Sequence, residues 1–372
     1  MRCKGAHVVV TEPMFNFTSL QEQMCASMFE DLGVASFVAA PAPALALRYH
    51  NATLRAGPAK DLQAGLVVDC GYSFAHVVPV VAGQALRAHT KRVNVGGKLM
   101  TNLMKEMVSY RSVNMMEETF LMDRVKEATC VVSPDVVADL RASRGRDSPF
   151  RIQFVLPDGL SNIRGYIRDL EEEERAAKQA EEDGLPPPIP PPEEHLLPLN
   201  NERFMVPETL FRPSDIGMPQ AGITEACLQA VSSVTCGGHG PVEADQNEVQ
   251  GALWSNVVLC GGVCGCPGFV ERFTAELRSI VPDCWELNVS VAGGDAEGAA
   301  TAAWKGGSDL GANSKEYHSR ALTRKGLAEV GLGRVLEVWR LQHPATPNSP
   351  LEGDGGNRHR SVYRDDSDHD LD

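Results

Sequence analysis

The sequence predicts an α/β protein of two lobes with a cleft between them. Apolar, strand-like runs alternate with segments of helical periodicity along most of the chain, which argues for sheets covered by helices. Two of those strands, in "VVDCGYSFAHVVPV" (67–80) and "NVVLCGGVCGCPGF" (256–269), run straight into glycine turns. Glycine lets a backbone approach a ligand closely, and N–H groups at such turns attract phosphate, so two of them fit a shared cleft. Hydrophobic residues make up 43% of 372 residues, ample for one large bilobal body or two medium domains.

The elements follow in order. "HVVV" (7–10) is a buried-type strand. "TSLQEQMCASMFEDLG" (18–33) predicts a helix with Ser19 and Glu22 as a capping box, Leu20, Met24, Met28 and Leu32 repeating every four residues, and Gly33 as its C-terminal cap. "VASFVAA" (34–40) is a second strand and "PALALRY" (43–49) a short helix. The hairpin of residues 67–80 precedes a strand around Leu86 to Val93, and Gly96-Gly97 opens the helix "KLMTNLMKEMV" with Leu99, Leu103 and Met107 on one face. A helix over "EETFLMDRVKEATC" ends near Cys130. After strand Val257 to Leu259, Pro267 and Gly268 open a helix whose Phe269, Phe273, Leu277 and Val281 share a face.

The formal charge of −14 is unevenly spread. Asp169 to Glu194 carries ten acids against Arg175 and Lys178 and ends in a proline run, a composition that predicts a solvated insertion. The tail from Ala345 is acidic in the same way. The remaining body is nearly neutral, which argues against direct nucleic-acid contact. No apolar run reaches membrane-spanning length and "MRCKGAHVVV" has no signal-like stretch. The ten cysteines lack the spacing of a secreted disulfide framework, so reduced thiols are expected. Cys260, Cys264 and Cys266 do not form Cys-x-x-Cys with a matching second pair, and read as small residues beside a turn, not as a zinc site.

Taken singly, each glycine turn also reads as an ordinary tight turn. Several segments in order carry a resemblance. "TEPMFNFTSLQEQMCASMFE", "VVDCGYSFAHVVPV", "RVNVGGKLMTNLMKE", "VKEATCVVSPD", "NERFMVPETLFRPSDIGMPQAGITEA", "LCGGVCGCPGF" and "AAWKGGS" resemble the actin family from about His7 to about Gly307. "NFTSLQEQM", "DCGYSFAHVVP", "VNVGGKLMTNLMKE" and "VLPD" (155–158) look most like its nuclear branch, found in SWR/SRCAP-type remodellers that exchange a variant histone into nucleosomes.

The resemblance implies an actin-like two-lobed fold. Residues 1–110 would hold part of the first lobe and the hinge, 111–168 the second lobe, and 169–198 the insertion. Residues 199–262 would continue the second lobe, 263–344 would end it and return to the first, and 345–372 would be an acidic tail. It places the family's first phosphate hairpin before Met1, so the first lobe is expected to be incomplete at its N-terminus, with an exposed sheet edge that a partner covers. It further implies ATP with Mg²⁺ in the cleft. Asp69, Gly71 and His76 match the second phosphate hairpin, Lys126 and Glu127 the adenosine-flanking helix, and Gly261 and Gly262 the adenine-side turn. Lys126 and Glu127 read equally as a solvated helix face.

Departures weaken the nucleotide site. Tyr72 stands where the family has a second acid and Ser73 where it has a glycine; Cys266 replaces a base-contacting Tyr and Ala300 a Lys. Pro41 replaces the water-orienting Gln and has neither amide side chain nor N–H. The expectation is therefore a non-catalytic scaffold with a vestigial cleft. Its partners would be protein subunits of a nuclear remodelling complex, with histones contacted indirectly and neither nucleic acid nor membrane bound directly. The competing expectations are an ATP-hydrolysing actin or sugar-kinase relative, which a catalytic acid or Gln facing the phosphates would favour, and a filament-forming actin.

Overall fold

The computed structural model describes residues 3–52, 63–145, 148–159, 162–169, 196–234 and 245–331. The acidic–proline insertion, except its flanks, and the acidic tail lie outside the described residues. The expected α/β organisation is present as three sheets with helices on their faces. No described helix is long and apolar enough to cross a membrane.

Strand β1 (His7–Glu12) runs parallel to β2 (Ser36–Pro41), which also carries the short β12 (Leu322–Thr323), in the order β1-β2-β12. Between β1 and β2, helix α1 (Thr18–Ala26) continues into a π-helical turn, Ser27–Asp31. One expectation fails here and another holds in part. The N-cap is Phe17, whose carbonyl accepts from the N–H groups of Leu20 and Gln21, so Ser19 lies inside the helix and forms no capping box. The buried face is centred on Gln21, Cys25 and Phe29; of the expected stripe, Met24 and Met28 are half-buried against it, while Leu20 and Leu32 are exposed. The cause is local: β1 ends in the buried carboxylate of Glu12, which accepts hydrogen bonds from the Gln21 and Asn16 side-chain amides. A buried carboxylate left unbonded costs more than an exposed leucine, so the helix turns its amide inward. Gly33, at φ +64°, does take the left-handed conformation expected after the helix.

The six-stranded central sheet has the order β11-β10-β3-β4-β5, with β6 also paired to β4. Its members are β3 (Gly65–Cys70), β4 (Ala75–Val81), β5 (Gln84–Ala85), β6 (Lys91–Val93), β10 (Val257–Cys260) and β11 (Val289–Val291). The strand expected around Leu86 to Val93 is broken by a 3₁₀ turn, Arg87–His89, and only its end pairs as β6. Side chains alternate across β3. Leu66 and Val68 face a core built with Met100, Met104, Phe269 and Phe273, while Val67 faces Ala46, Leu47, Val258 and Ala302. The sheet is therefore covered on both faces, as its near-continuous apolar strands require.

Helix α2 (Ala42–Asn51) lies on one face; α3 (Gly97–Arg111) and α4 (Thr119–Thr129) lie on the other. Along α3 the buried centre is Met100, Met104 and Val108; the expected Leu99, Leu103 and Met107 are half-buried flanks of the same stripe. After α5 (Val136–Ala142), strands β7 (Ile152–Val155), β8 (Tyr166–Ile167) and β9 (Leu196–Leu199) form a small sheet ordered β8-β7-β9. The chain returns through α6 (Glu202–Phe211), α7 (Ile223–Ser233), α8 (Gln246–Trp254) and α9 (Phe269–Ile280). On α9, Phe269, Phe273, Leu277 and the following Val281 are all buried, as the spacing predicts.

Helix α10 (Ala296–Ala312) joins the sheets. Ala302 packs into the central sheet, Gly307 and Gly311 lie against Val9 of β1, and Gly306 meets the backbone of α2 at Leu45. Helices α11 (Ser314–Arg320) and α12 (Arg324–Val330) complete the described chain. The Tyr317 hydroxyl is hydrogen-bonded to Ser36 Oγ at 2.9 Å and takes the Val8 N–H at 3.1 Å, tying α11 to β1 and β2.

Candidate functional site

Parallel pairing brings the two glycine turns together. β3 and β10 are neighbours in register, Cys260 opposite Asp69, so both strands deliver their carboxyl ends to one place. The first turn is closed by the Gly71 N–H donating to Phe74 O at 3.1 Å. It docks on the start of α3, where Gly97 N–H donates to Gly71 O at 3.1 Å and Lys98 N–H to Tyr72 O at 2.8 Å. The amides of Tyr72 and Ser73 at the tip have no acceptor among the described residues.

In the second turn Gly261 adopts φ +91° and donates to Ala299 O at 3.1 Å, leading into the 3₁₀ turn Gly262–Gly265. The Gly262 amide is likewise without an acceptor, and no atom lies within 4 Å of the space a β-carbon there would fill. Asp69, Gly71, His76, Gly261 and Gly262 are thus assembled in one place, with open amides suited to phosphate.

The charged groups around the turns are arranged differently from a metal site. Asp69 is half-buried and hydrogen-bonded with the Cys260 thiol, and burial raises its pKa above the ordinary carboxylate value. His76 pairs opposite Asp69 across the hairpin, its ring 5.8 Å from Phe15 and 6.2 Å from Phe74, and Arg92 lies 3.5 Å over Phe74. Burial, aided by the Arg92 charge, pulls His76 down to about 4. Tyr72 projects its ring over Gly97, with Cδ2 3.2 Å from the position of a β-carbon there. Among the described residues no three His, Cys, Asp or Glu side chains are placed to hold a metal ion. The residues fit phosphate at the turns and do not fit a directly coordinated divalent cation.

Lys126 is already bound within the fold. Its ammonium donates to Asp123 Oδ1 at 2.5 Å, Thr101 Oγ1 at 2.9 Å and Gly97 O at 3.3 Å. An ammonium has three N–H donors, so all are engaged. Burial opposes ionisation of Asp123, but hydrogen bonds from Lys126 and Thr101 hold its carboxyl below the usual range. Sequence reasoning missed Asp123, although its place three residues before Lys126 is the spacing of a helical ion pair. Glu127 is exposed on the same helix, away from this network. Cys266 sends its thiol to Cys130 O at 3.6 Å, Ala300 is exposed, and Pro41 is buried at the end of β2, opposite Glu12.

The depressed His76 predicts a pH dependence. In the unfolded chain its pKa is near 6.5, and in the fold about 4. The unfolded state therefore binds the proton more readily, so stability is intact above pH 6.5 and is lost as pH falls towards 4. At pH 5 the loss is expected to be about 1–2 kcal/mol relative to pH 7. Urea midpoints of the native chain and of H76N at the two pH values measure it; the variant should lack this component, and an equal drop in both would rule out His76 as its source.

A family model described as Actin matches residues 3–337. Actin-related protein 6 of Oryza sativa subsp. indica is 36% identical over 343 residues, covering 88% of this chain and 76% of that protein. The protein of the same name from Arabidopsis thaliana is 35% identical over 337 residues (89% and 76%), and that of Drosophila melanogaster 32% over 333 residues (88% and 75%).

Proposed function

The chain belongs to the actin family, and from that premise we propose that it is a non-catalytic scaffold subunit of a nuclear chromatin-remodelling complex that exchanges a variant histone into nucleosomes. The observation that carries the reading of a weakened nucleotide site is Lys126. A side chain whose three donors are engaged by Asp123, Thr101 and Gly97 has none left for a ribose or base. Tyr72 over Gly97 narrows the same mouth, and Pro41 offers no group to orient an attacking water. Nucleotide, if bound, would be held by its phosphates at the Tyr72, Ser73 and Gly262 amides, as a weak ligand and not a substrate. The nuclear and chromatin assignments rest on the resemblance of "NFTSLQEQM", "DCGYSFAHVVP", "VNVGGKLMTNLMKE" and "VLPD" to the nuclear branch of the family. The neutral body is in keeping with protein partners over direct contact with nucleic acid.

The test uses the full chain, tagged and captured from nuclei. The expected result is recovery with the subunits of a remodelling complex, loss of variant-histone exchange when the chain is depleted, and phosphate release by the purified chain no faster than buffer. Turnover near one per second, an ordinary enzyme rate, or capture without any remodelling subunit, would overturn the proposal.

A further inference from the structure

A buried group outside the glycine turns is unsatisfied, and a carboxylate near it is complementary. Nε and Nη2 of Arg87, in the 3₁₀ turn after β5, are sealed from solvent with no acceptor among the described residues. Those two nitrogens form the edge of a guanidinium that grips a carboxylate with two parallel hydrogen bonds. Glu12, at the end of β1, is 4% exposed. Its Oε1 accepts from Asn16 and Gln21, while its Oε2 has no donor among the described residues. A buried donor edge without an acceptor is costly, and a nearby carboxylate oxygen that bonds no donor is the group that would satisfy it.

The surrounding packing brings the two segments together. After Glu12 the chain folds directly onto the hairpin that leads to Arg87. Met14 is buried with Val78, Val80 and Ala85, and Phe15 lies against His76. Glu12 is also the acid whose charge acts on Arg87, opposing the effect of burial on the guanidinium. An outside carboxylate or phosphate would have to enter beside a buried acid and be repelled by it, so Glu12 itself is the favoured occupant of the open edge.

We propose that Glu12 and Arg87 form a latch, the Glu12 carboxylate swinging onto the Nε–Nη2 edge of Arg87 to tie the β1–α1 connection to the β4–β6 hairpin. Phe15, three residues after Glu12, already lies against His76, which stands opposite Asp69 at the first glycine turn, so closing the latch would hold that contact in place. Glu12 and Arg87 are thus positioning residues for the turn, acting through Phe15. The latch stands whether or not the chain serves in a remodelling complex.

Denaturation of the full chain as E12Q, R87M and the double variant tests it. Each single change is expected to lower stability, and the double variant to lose little more than either, a coupling of roughly tenfold in the folding equilibrium. Effects that simply add, or an R87M chain more stable than the native one, as removal of an unpaired buried cation would give, would overturn the proposal. Nitrogen-15 NMR of the native chain supplies an arm independent of whether R87M folds. The Arg87 Nε–H should exchange slowly with solvent, and E12Q should abolish that protection and shift the His76 ring resonances. Fast exchange in the native chain, or unmoved His76 resonances in E12Q, would exclude the latch.

Discussion

Replacing Gly306 by valine is expected to unfold the protein or remove most of its stability. A β-carbon at this position would lie 1.9 Å from Leu45 O and 2.6 Å from Leu45 C, inside the backbone of α2. Neither partner is the flexible end of a side chain, so α10 would have to move away from α2 as a whole. That contact buries Leu45, Ala46, Ala302 and Leu310, each at most 3% exposed, and opening it also disturbs Val9 on β1, which packs against Gly307 and Gly311 of the same helix. A loss of about 4 kcal/mol or more is expected, in the range of severe overpacking, from a total of about 5–15 kcal/mol. Gly307 is the control. The nearest atoms to its β-carbon position are 3.6 Å away, so G307A should cost less than about 1 kcal/mol and gains helix propensity. Soluble yield and urea midpoints of the two variants decide it; a G306V chain with the native midpoint would show that α2 and α10 are not held backbone to backbone.

The second large effect concerns Gly261. It holds φ +91°, and a β-carbon there would meet the Cys70 carbonyl oxygen at 2.4 Å and its carbonyl carbon at 2.6 Å. Valine adds backbone strain to that overlap, so G261V is expected to cost about 3 kcal/mol or more. The damage falls between the two turns, because Cys70 ends β3 and Gly261 follows β10. G262A, with no atom within 4 Å, should stay within about 0.5 kcal/mol of the native chain. Equal midpoints for G261V and G262A would contradict the close approach of the two turns.

These glycines show how much of the site the sequence carries. Glycine after an apolar strand announces a turn, and two such turns in one α/β chain announce a cleft, because parallel strands bring their carboxyl ends together. The stripe of Phe269, Phe273, Leu277 and Val281 was equally legible, since α9 packs on one side only. The buried face of α1 was not. Its position depends on Glu12, which precedes the helix and whose burial could not be inferred from a short polar turn. Nor was the role of Lys126 legible from its resemblance to an adenosine-flanking lysine; that depends on Asp123 in the same helix and Thr101 in α3. The open edge of Arg87 was also hidden, because Glu12 lies 75 positions earlier in the chain and periodicity reports only near neighbours.

The pairing of β3 with β10 also sets an order of events during synthesis. Leu66 is opposite Val257, about 190 residues later, so the strand that ends in Asp69 leaves the ribosome long before its neighbour exists. At roughly 5–20 residues per second, the interval is about 10–40 s. Until then β3 and β4 can form only a hairpin, with one flank of an apolar strand unpaired. The closure that ends the wait joins distant parts of the chain, the slow class of folding step. A nascent chain stalled before residue 257 should therefore be held by chaperones, and one extended beyond Val291, where β11 completes that side of the sheet, should be released.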